Sequence, residues 1–240
     1  MTKIEYFGKS LLIDKKIAVV GDLHLGFEQV MRDSGIFVLV DIVNEIKSDI
    51  ENLFNEIGNV EKVVLLGDLK HEFGKISMDE RKEIGEIMNL LRRKSKEIIV
   101  IKGNHDVITN YLIDELKNVE FVDYYLYGDK NKIAFVHGDK DFPEINDKDV
   151  KNWVMGHGHP AIVLEHGPKK EKYKCFLEGK FKDKKIIVVP SFFSFNEGTD
   201  VLGGYSLGLA WDFDFNKFDI KIVQEDSLKI LDFGKLKKIN

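Results

Sequence analysis

The sequence predicts an α/β fold in which two β-sheets pack as a sandwich flanked by helices, a four-layer αββα arrangement. Two observations support this prediction. Residues 1–116 alternate short β-branched runs with amphipathic helical patterns, which is typical of parallel β-α-β units. The rest of the chain is a succession of short apolar runs with turn-length gaps, which indicates antiparallel or mixed pairing in a second sheet.

Three strands and two helices are predicted in the first part of the chain. The strands are short apolar runs at residues 16–20, 62–66 and 97–101. Over 39–58, apolar residues recur at intervals of three and four, which predicts an amphipathic helix. Ser77 and Glu80 have the spacing of a capping box, so a second helix is predicted to start there and to continue to residue 94. Strands and helices that alternate in this way indicate a parallel sheet buried on both faces.

Eight further runs are expected to form strands in the second part of the chain. They occupy residues 119–125, 132–137, 153–156, 161–165, 172–178, 185–191, 206–215 and 217–223. The chain contains no internal repeat and no Pro- or Ser-rich linker. We therefore expect residues 1–240 to form one domain; no pattern in the sequence indicates an oligomeric state.

The composition narrows the class of protein. Apolar residues make up 43% of the chain and charged residues 32%, and no apolar run is long enough for a membrane span. The N-terminal residues also lack the pattern of an export signal, so we expect a cytoplasmic protein without a membrane partner. The formal charge of −5 gives no overall attraction to nucleic acid. Cys175 is the only cysteine, which excludes an internal disulfide and a cysteine-based zinc site.

Five times in the sequence, an apolar run ends near a glycine and a short polar cluster follows. The five stretches are IAVVGDLH, VVLLGDLK, IIVIKGNHD, IAFVHGD and WVMGHGH. A single strand-end aspartate is usually a turn residue. Open α/β sheets, however, bind ligands at the carboxyl ends of their strands, so these clusters are expected to meet in one cleft. Without a metal, many of these carboxylates and imidazoles would be buried and unpaired. The polar side chains of the five clusters are those of Asp22, His24, Asp68, Asn104, His105, Asp106, His137, His157 and His159.

These side chains indicate a centre for two divalent transition-metal ions. Ions about 3.5–4 Å apart need a bridging ligand, and the carboxylate of Asp22 or Asp68 would serve. Nitrogen and oxygen donors without thiolate suit Mn²⁺, Fe, Zn²⁺, Co²⁺ or Ni²⁺ better than Ca²⁺, and we expect Mn²⁺. Two such ions lower the pKa of a shared water and clamp the oxygens of a phosphoryl group. The expected reaction is therefore phosphoester hydrolysis by a metal-bound hydroxide.

The ordered motifs D-x-H, G-D, G-N-H-D, H-G-D and G-H-x-H, spread over residues 16–210, resemble those of the calcineurin-like metallophosphoesterase superfamily. The resemblance implies two ion sites that share Asp68 as a bridge. The first site is completed by Asp22, His24 and His159, and the second by Asn104, His137 and His157. The resemblance also implies that His105 protonates the leaving oxygen or steadies the phosphate, and that Asp106 orients the His105 ring.

Within that superfamily, GDLHLG and GDLKH are most similar to the SbcD-like nuclease branch and its small, stand-alone archaeal relatives. This similarity favours phosphodiester substrates, with DNA or a nucleotide as the candidates. The chain lacks the length for the DNA-capping region of that nuclease, which argues against a role at double-strand breaks. A phosphomonoesterase or nucleotide hydrolase with the same centre is the alternative. A non-catalytic scaffold of the same fold is a remote alternative, because the motifs are intact.

Two further residues are candidates for binding substrate. His71 falls where the nuclease branch carries a histidine near the phosphate, although a histidine that caps a helix or faces water is an equally good interpretation. Arg32 has a guanidinium that could bind a phosphate through two hydrogen bonds. A surface pair between Arg32 and Glu28, four residues apart on a helix, is the simpler explanation.

Two segments are candidates for contact with nucleic acid. Phe192, Phe193 and Phe195 could stack a base, but aromatic residues near strand ends are usually buried. Eight lysines between residues 169 and 185 fall on a predicted hairpin and could follow a phosphate backbone. Exposed lysines also protect edge strands from pairing, which is the structural alternative. If the patch binds DNA, changing its first four lysines to Gln should weaken that binding; they are Lys169, Lys170, Lys172 and Lys174.

Overall fold

The computed structural model describes residues 2–36, 39–73, 76–106, 118–203, 208–224 and 227–238. Within these ranges the chain forms fifteen β-strands and three α-helices. The helices are α1 (Phe27–Asp33), α2 (Ile42–Ile57) and α3 (Met78–Lys94). None of these helices is long and apolar enough to cross a membrane.

The first sheet has six strands in the order β1-β2-β3-β4-β5-β6. Their bounds are β1 Ile4–Phe7, β2 Ser10–Ile13, β3 Ile17–Val20, β4 Val60–Leu65, β5 Ser95–Ile101 and β6 Val119–Val122. The strands from β3 to β6 pair in parallel, which confirms the predicted β-α-β units. The antiparallel hairpin of β1 and β2 was not predicted, because each of its strands is only four residues long.

The second sheet has nine strands and mixed pairing, as predicted. The strand bounds are β7 Tyr124–Tyr127, β8 Lys132–Val136, β9 Val150–Met155, β10 Pro160–His166, β11 Lys169–Phe181, β12 Lys184–Val188, β13 Thr199–Asp200, β14 Asp219–Gln224 and β15 Lys229–Lys235. The order is β13-β10-β11-β12-β9-β8-β7, and β14 pairs with both β11 and β15. β8, β9 and β12 are parallel to one another, whereas β10, β11 and β14 form antiparallel pairs.

The predicted strand at 206–215 is wrong where the structure describes it. Residues 204–207 lie outside the described ranges, and Gly208–Asp212 and Phe215–Lys217 are 3-10 turns. The Leu209 N–H donates to the Gly138 carbonyl, which docks the first turn onto the loop after β8. The apolar residues of this segment pack on the outer face of the second sheet, so they gave an apolar pattern without forming a strand.

The helix starts agree with local capping chemistry. α2 begins at Ile42, three residues later than the pattern suggested, because the Asp41 carboxylate accepts the backbone N–H of Asn44 and caps the helix. The predicted capping box at the start of α3 is confirmed: the Ser77 hydroxyl accepts the Glu80 N–H, and the Glu80 carboxylate accepts the Ser77 N–H.

Three apolar layers hold the elements together. The first lies between the helices and the first sheet and includes Ile46 of α2, Ile87 of α3 and Val63 of β4. The second lies between the two sheets. The third covers the outer face of the second sheet, where 3-10 turns take the place of α-helices among the described residues. The predicted two-sheet α/β sandwich is confirmed.

Candidate metal centre

The candidate ligands follow the carboxyl ends of strands in both sheets. Val20, Leu65 and Ile101 end neighbouring parallel strands of the first sheet, and Val136 and Met155 end a parallel pair in the second. The residues that follow these ends are Asp22 and His24 after β3, Asp68 after β4, Asn104 and His105 after β5, His137 after β8, and His157 and His159 after β9. Most of these side chains lie close together in one cluster. The sandwich therefore brings together residues that are far apart in sequence.

Four of these residues have a left-handed backbone, which non-glycine residues adopt infrequently. The φ angles are 48° for His24, 47° for Asp68, 66° for His157 and 47° for His159. Such conformations are unfavourable for side chains with a Cβ and persist only where the surrounding structure enforces them. Their concentration in one cluster indicates a functional site.

Two glycines make room for the carboxylates. A Cβ on Gly103 would lie 2.2 Å from Asp68 Oδ1, and a Cβ on Gly156 would lie 2.8 Å from Asp22 Oδ2. Both separations are shorter than a van der Waals contact. Glycine is therefore required at each position to let the backbone approach a candidate ligand.

The first group of donor atoms comes from Asp22, His24 and His159, whose potential ligand atoms all lie within 4.8 Å of one another. His24 Nε2 is 3.2 Å from His159 Nε2. His159 Nε2 is 3.4 Å from Asp22 Oδ1. The Asp22 side chain is fully buried, and its Oδ2 atom has no hydrogen-bond partner.

The second group comes from Asp68, His137 and His157, again within 4.8 Å. His137 Nε2 lies 3.1 Å from His157 Nδ1 and 3.1 Å from Asn104 Oδ1, so the Asn104 amide oxygen joins this group. His137 Nδ1 lies 2.8 Å from the Leu66 carbonyl. A proton on Nδ1 would be donated to that carbonyl, so Nε2 is the nitrogen that can lose its proton and direct a lone pair at the cluster.

Asp68 lies between the two groups. Its Oδ2 atom is 3.8 Å from His24 Nε2 in the first group and 3.4 Å from His137 Nε2 in the second. Its Oδ1 atom accepts the backbone N–H of His105 at 3.1 Å. Asp22 Oδ1 also lies near both groups, 3.4 Å from His159 Nε2 and 3.7 Å from His137 Nδ1, but that Nδ1 atom is directed at the Leu66 carbonyl. Of the two carboxylates that the sequence left open as a bridge, Asp68 is the one that faces a free Nε2 atom in each group.

The electrostatics of the cluster are those of a cation site. Burial alone would raise the pKa of Asp22, but the imidazoles of His159 and His137 outweigh it and hold the pKa below its usual range. Burial alone would lower the pKa of His137, but the hydrogen bond to Asp68 and the charge of Asp22 raise it to about 9. Burial lowers the pKa of His24 to about 3. Buried carboxylates therefore stay ionised and attract positive charge.

Divalent metal ions fit these residues. Pairs of imidazole nitrogens face each other at hydrogen-bond distance, and a buried carboxylate oxygen has no partner. A cation shared by these atoms satisfies both features, since it accepts several lone pairs at once. The donors in the two groups are carboxylate and amide oxygens and imidazole nitrogens, which suit transition-metal ions.

His105 and His71 lie beside the two groups, and the potential ligand atoms of His105, His24 and Asp68 also lie within 4.8 Å of one another. His105 Nε2 is 3.9 Å from Asp68 Oδ2. The His105 Nδ1 atom pairs with the backbone carbonyl of His71. The His71 ring is 5.8 Å from that of His105 and 5.4 Å from that of His24, between ring centroids. The structure thus brings both predicted histidines to the cluster.

The predicted contact between Asp106 and the His105 ring needs correction. Asp106 is buried and its carboxylate accepts backbone N–H groups from Gly103 at 2.9 Å and from Leu69 at 3.1 Å. The His105 ring is oriented by the His71 carbonyl instead. Asp106 therefore ties the loop after β4 to the loop after β5.

Arg32 is not brought to the cluster. Its guanidinium donates to Gln29 Oε1 at 2.9 Å and lies 3.7 Å from Asp79 Oδ2. It lines a separate depression whose other residues include Glu28, Asp79 and Glu86. Acidic side chains outnumber basic ones in that depression by five to three, so the structure argues against the predicted role of Arg32.

The predicted lysine patch is also dispersed. Lys174 is buried and donates to the carbonyls of Ser191 at 3.1 Å and Phe193 at 2.6 Å. Lys169 pairs with Glu171 of β11, and Lys170 pairs with Glu165 of β10. Lys172 alone among these four lines the cleft at the metal-ligand cluster, so a four-lysine surface is wrong.

That cleft has a volume of about 600 Å³ and opens directly over the histidines. Its lining includes His24, His105, His159, Lys172, Phe193 and Phe195. Phe27, which also lines it, was missed in the sequence, although it follows GDLHLG at once. Phe73, whose ring centroid is 3.7 Å from that of His105, was missed as well. Neither residue carries a polar group that would mark it as functional.

Comparison with known proteins agrees with this geometry. The sequence matches the family model of calcineurin-like phosphoesterases over residues 15–223. The chain therefore belongs to the calcineurin-like phosphoesterase family, which confirms the predicted family. Membership makes it a hydrolase of phosphoesters that uses divalent metal ions. No curated protein matches the sequence.

Three solved structures that align with this chain differ in how similar their folds are, and only the first has a TM-score above 0.5. The nuclease MPE of Pseudomonas putida has a TM-score of 0.62 at 16% identity, over 96% of this chain and 100% of that one. The phosphoesterase YfcE of E. coli has a TM-score of 0.46 at 16% identity, over 93% and 99%. A Vps29 variant of Entamoeba histolytica has a TM-score of 0.37 at 17% identity, over 91% and 99%. At these identities the likeness concerns the fold alone.

Proposed function

We propose that the protein is a phosphodiesterase with a binuclear metal centre, that its native ions are Mn²⁺, and that its substrates include nucleic acid. The observation that carries this proposal is the position of Asp68 Oδ2, 3.8 Å from His24 Nε2 and 3.4 Å from His137 Nε2. One carboxylate between two groups of donors is the arrangement that two neighbouring ions require.

The proposed ligand sets follow the two groups. Asp22, His24 and His159 would hold one ion, and Asn104, His137 and His157 the other, with Asp68 shared. When bound, the ions would supply Lewis acidity, which activates a water for attack and neutralises charge on the phosphoryl oxygens.

His105 would act on the leaving group. Its Nδ1–H donates to the His71 carbonyl, which fixes the ring and directs Nε2 toward the cluster. Nε2 is 3.9 Å from Asp68 Oδ2, so it faces the place where a phosphoryl group would bind. A proton held on Nε2 would be transferred to the departing oxygen as the P–O bond breaks.

A diester is favoured over a monoester by the walls of the cleft. The cleft is about 600 Å³ and has an aromatic side formed by Phe27, Phe193 and Phe195. A phosphodiester has a second organic substituent that this apolar surface would contact. A nucleic-acid substrate is also compatible with the name of the similar P. putida protein, a nuclease.

The proposal is tested by a hydrolysis panel with the Mn²⁺-loaded protein. The panel compares bis(p-nitrophenyl) phosphate, p-nitrophenyl phosphate, a cyclic nucleotide, and single- and double-stranded DNA. We expect kcat/KM to be higher for the diesters than for the monoester. Turnover of the monoester alone would replace the proposal with a phosphomonoesterase, and cleavage of the small diester without DNA would leave a small-molecule diesterase.

A further inference from the structure

A row of aromatic rings runs from the metal-ligand cluster to the protein surface. The His24 ring packs edge-on against Phe193, with centroids 5.6 Å apart. Phe193 contacts Phe27 at 5.0 Å, and Phe27 contacts Phe195 at 4.8 Å. The row therefore begins at a candidate metal ligand and ends at Phe195.

Phe195 is exposed, whereas the two phenylalanines that precede it in the loop are buried. Phe195 retains 48% of its accessible surface, compared with 2% for Phe192 and 3% for Phe193. A single exposed phenylalanine needs no explanation on a convex surface. Phe195 instead lines a concave cleft together with His105 and His159, where exposed aromatic surface is typical of a ligand-binding wall.

A second exposed ring lies at the same cluster. Phe73 is 57% exposed, and its centroid is 3.7 Å from that of the His105 ring. Three phenylalanines in the described ranges expose 41% or more of their surface, and two of them adjoin the cluster; the third, Phe233, is on β15. The exposed aromatic surface is thus concentrated where a phosphoester would bind.

The same cleft contains a lysine, Lys172, whose ammonium is placed to bind a second phosphate of a nucleic-acid strand. Lys172 lines the cleft, and its side chain is 29% exposed. Its ammonium donates to the Gly198 carbonyl at 3.3 Å and lies 4.0 Å from Glu197 Oε2. Since an ammonium has three donor positions, Lys172 can keep the carbonyl contact and still bind a phosphate.

We propose that this cleft binds an unpaired nucleobase stacked on Phe195, and that the substrate of the enzyme is therefore single-stranded nucleic acid. The inference rests on the proposed phosphodiesterase function and specifies its substrate class. Phe195 offers a π face without hydrogen-bond groups, so it would accept any base. Inside a duplex both faces of each base are covered by neighbouring bases, so away from the duplex ends only an unpaired base can stack on the ring.

The inference is tested with two matched single-stranded substrates that differ only in whether they carry bases. One is a single-stranded thymidylate oligonucleotide, and the other is the same strand with abasic sugars at every position. A duplex of the same length is the third substrate. The protein variants are Phe195→Leu, which keeps an apolar side chain without a ring, Phe195→Trp, which keeps a ring, and Phe233→Leu, a matched control on β15.

We expect Phe195→Leu to raise the KM for the thymidylate strand by about tenfold, since stacking of one base on an aromatic side chain has about this effect. The kcat at saturation and the KM for the abasic strand should stay unchanged. Phe195→Trp should restore the low KM, Phe233→Leu should behave as the unmodified protein, and the duplex should be a poorer substrate than the single strand.

Equal changes of KM for the thymidylate and abasic strands would overturn the inference, as would cleavage of the duplex as readily as the single strand. The unmodified protein is assayed in parallel on bis(p-nitrophenyl) phosphate. If that diester is hydrolysed while the bases have no effect, the inference fails and the proposed phosphodiesterase stands. If that diester is not hydrolysed, the proposed function itself fails.

Discussion

Single residues of the centre are held in conformations that a free chain avoids. The left-handed backbone of His24, Asp68 and His159 turns their side chains into the cluster immediately after buried strands. Such conformations cost of order 1–3 kcal/mol each, which the packed sheets below must offset. The strain is therefore concentrated where side chains have to converge, as expected of a preorganised site.

Substitution of His105 should affect the chemical step without affecting metal binding. It lies outside the two ligand groups assigned to the ions, so His105→Ala should leave the Mn²⁺ content unchanged. Turnover should fall by roughly 10²–10⁴-fold, the usual effect of losing a general acid, and most strongly for esters with poor leaving groups. Steady-state kinetics on a series of aryl diesters, together with metal analysis, measures both effects. Equal losses across the series would contradict the role as an acid.

The raised pKa of His137 predicts that metal binding depends on pH. Its pKa is raised to about 9, so at pH 7 its ring carries a proton that a metal ion must displace. The pKa values of His24 and His157 are lowered, mainly by burial, so these rings are neutral at pH 7. The apparent affinity for Mn²⁺ should therefore rise with pH up to about 9 and then level off.

Calorimetric titration at pH 7 in buffers of different ionisation enthalpy measures this proton release. Metal binding should release a proton in the unmodified protein, and His137→Gln should release less. A binding enthalpy that does not change with the buffer would contradict the prediction.

At the scale of elements, the loop between β12 and β13 is held in place by groups that lie beneath it. The Asp22 carbonyl accepts the N–H groups of Phe192 and Phe193, each at 3.0 Å. The buried Lys174 ammonium donates hydrogen bonds to two carbonyls of the loop, those of Ser191 and Phe193. The aromatic side of the cleft is thereby attached to the same residue, Asp22, that supplies a candidate ligand.

Lys174→Met tests how this loop is held. Methionine fills a similar volume but cannot donate, so the carbonyls of Ser191 and Phe193 lose this donor. The free energy of unfolding should fall by about 1–3 kcal/mol, the usual cost of leaving buried polar groups unpaired. Lys169→Met, on the exposed end of the same strand, is the matched control and should change stability little. Urea denaturation compares the two, and equal stability would contradict the assignment.

The sequence predicted those elements whose patterns are local. The strands from β3 to β5 and the capping box of α3 have regular apolar spacing or side-chain signals, and the structure agrees with them. The segment after Gly208 is apolar because it covers a sheet face, and composition alone does not distinguish that from a strand. Lys174 likewise looked like its exposed neighbours, because its burial depends on a loop about twenty residues further along.

At the scale of the whole molecule, the site exists because two sheets end at one edge. β3, β4 and β5 contribute one set of ligands, and β8 and β9 of the other sheet contribute the rest. The layer between the sheets is mainly apolar, and its packing holds the two sheets together. The ligand residues were therefore predictable from strand-end motifs, whereas the Asp106 contacts and the place of Arg32 depend on how loops pack in three dimensions.

The binuclear centre is tested by the number of metal ions that each chain binds. Elemental analysis of the protein after loading with Mn²⁺ and removal of free metal should give two ions per chain. Asp68→Asn should weaken the binding of both together, because one carboxylate serves both groups. Asp123→Asn, at an exposed aspartate paired with Lys102, is the control and should keep both ions. A single ion per chain, or an Asp68→Asn variant that retains two ions at full affinity, would contradict the binuclear centre.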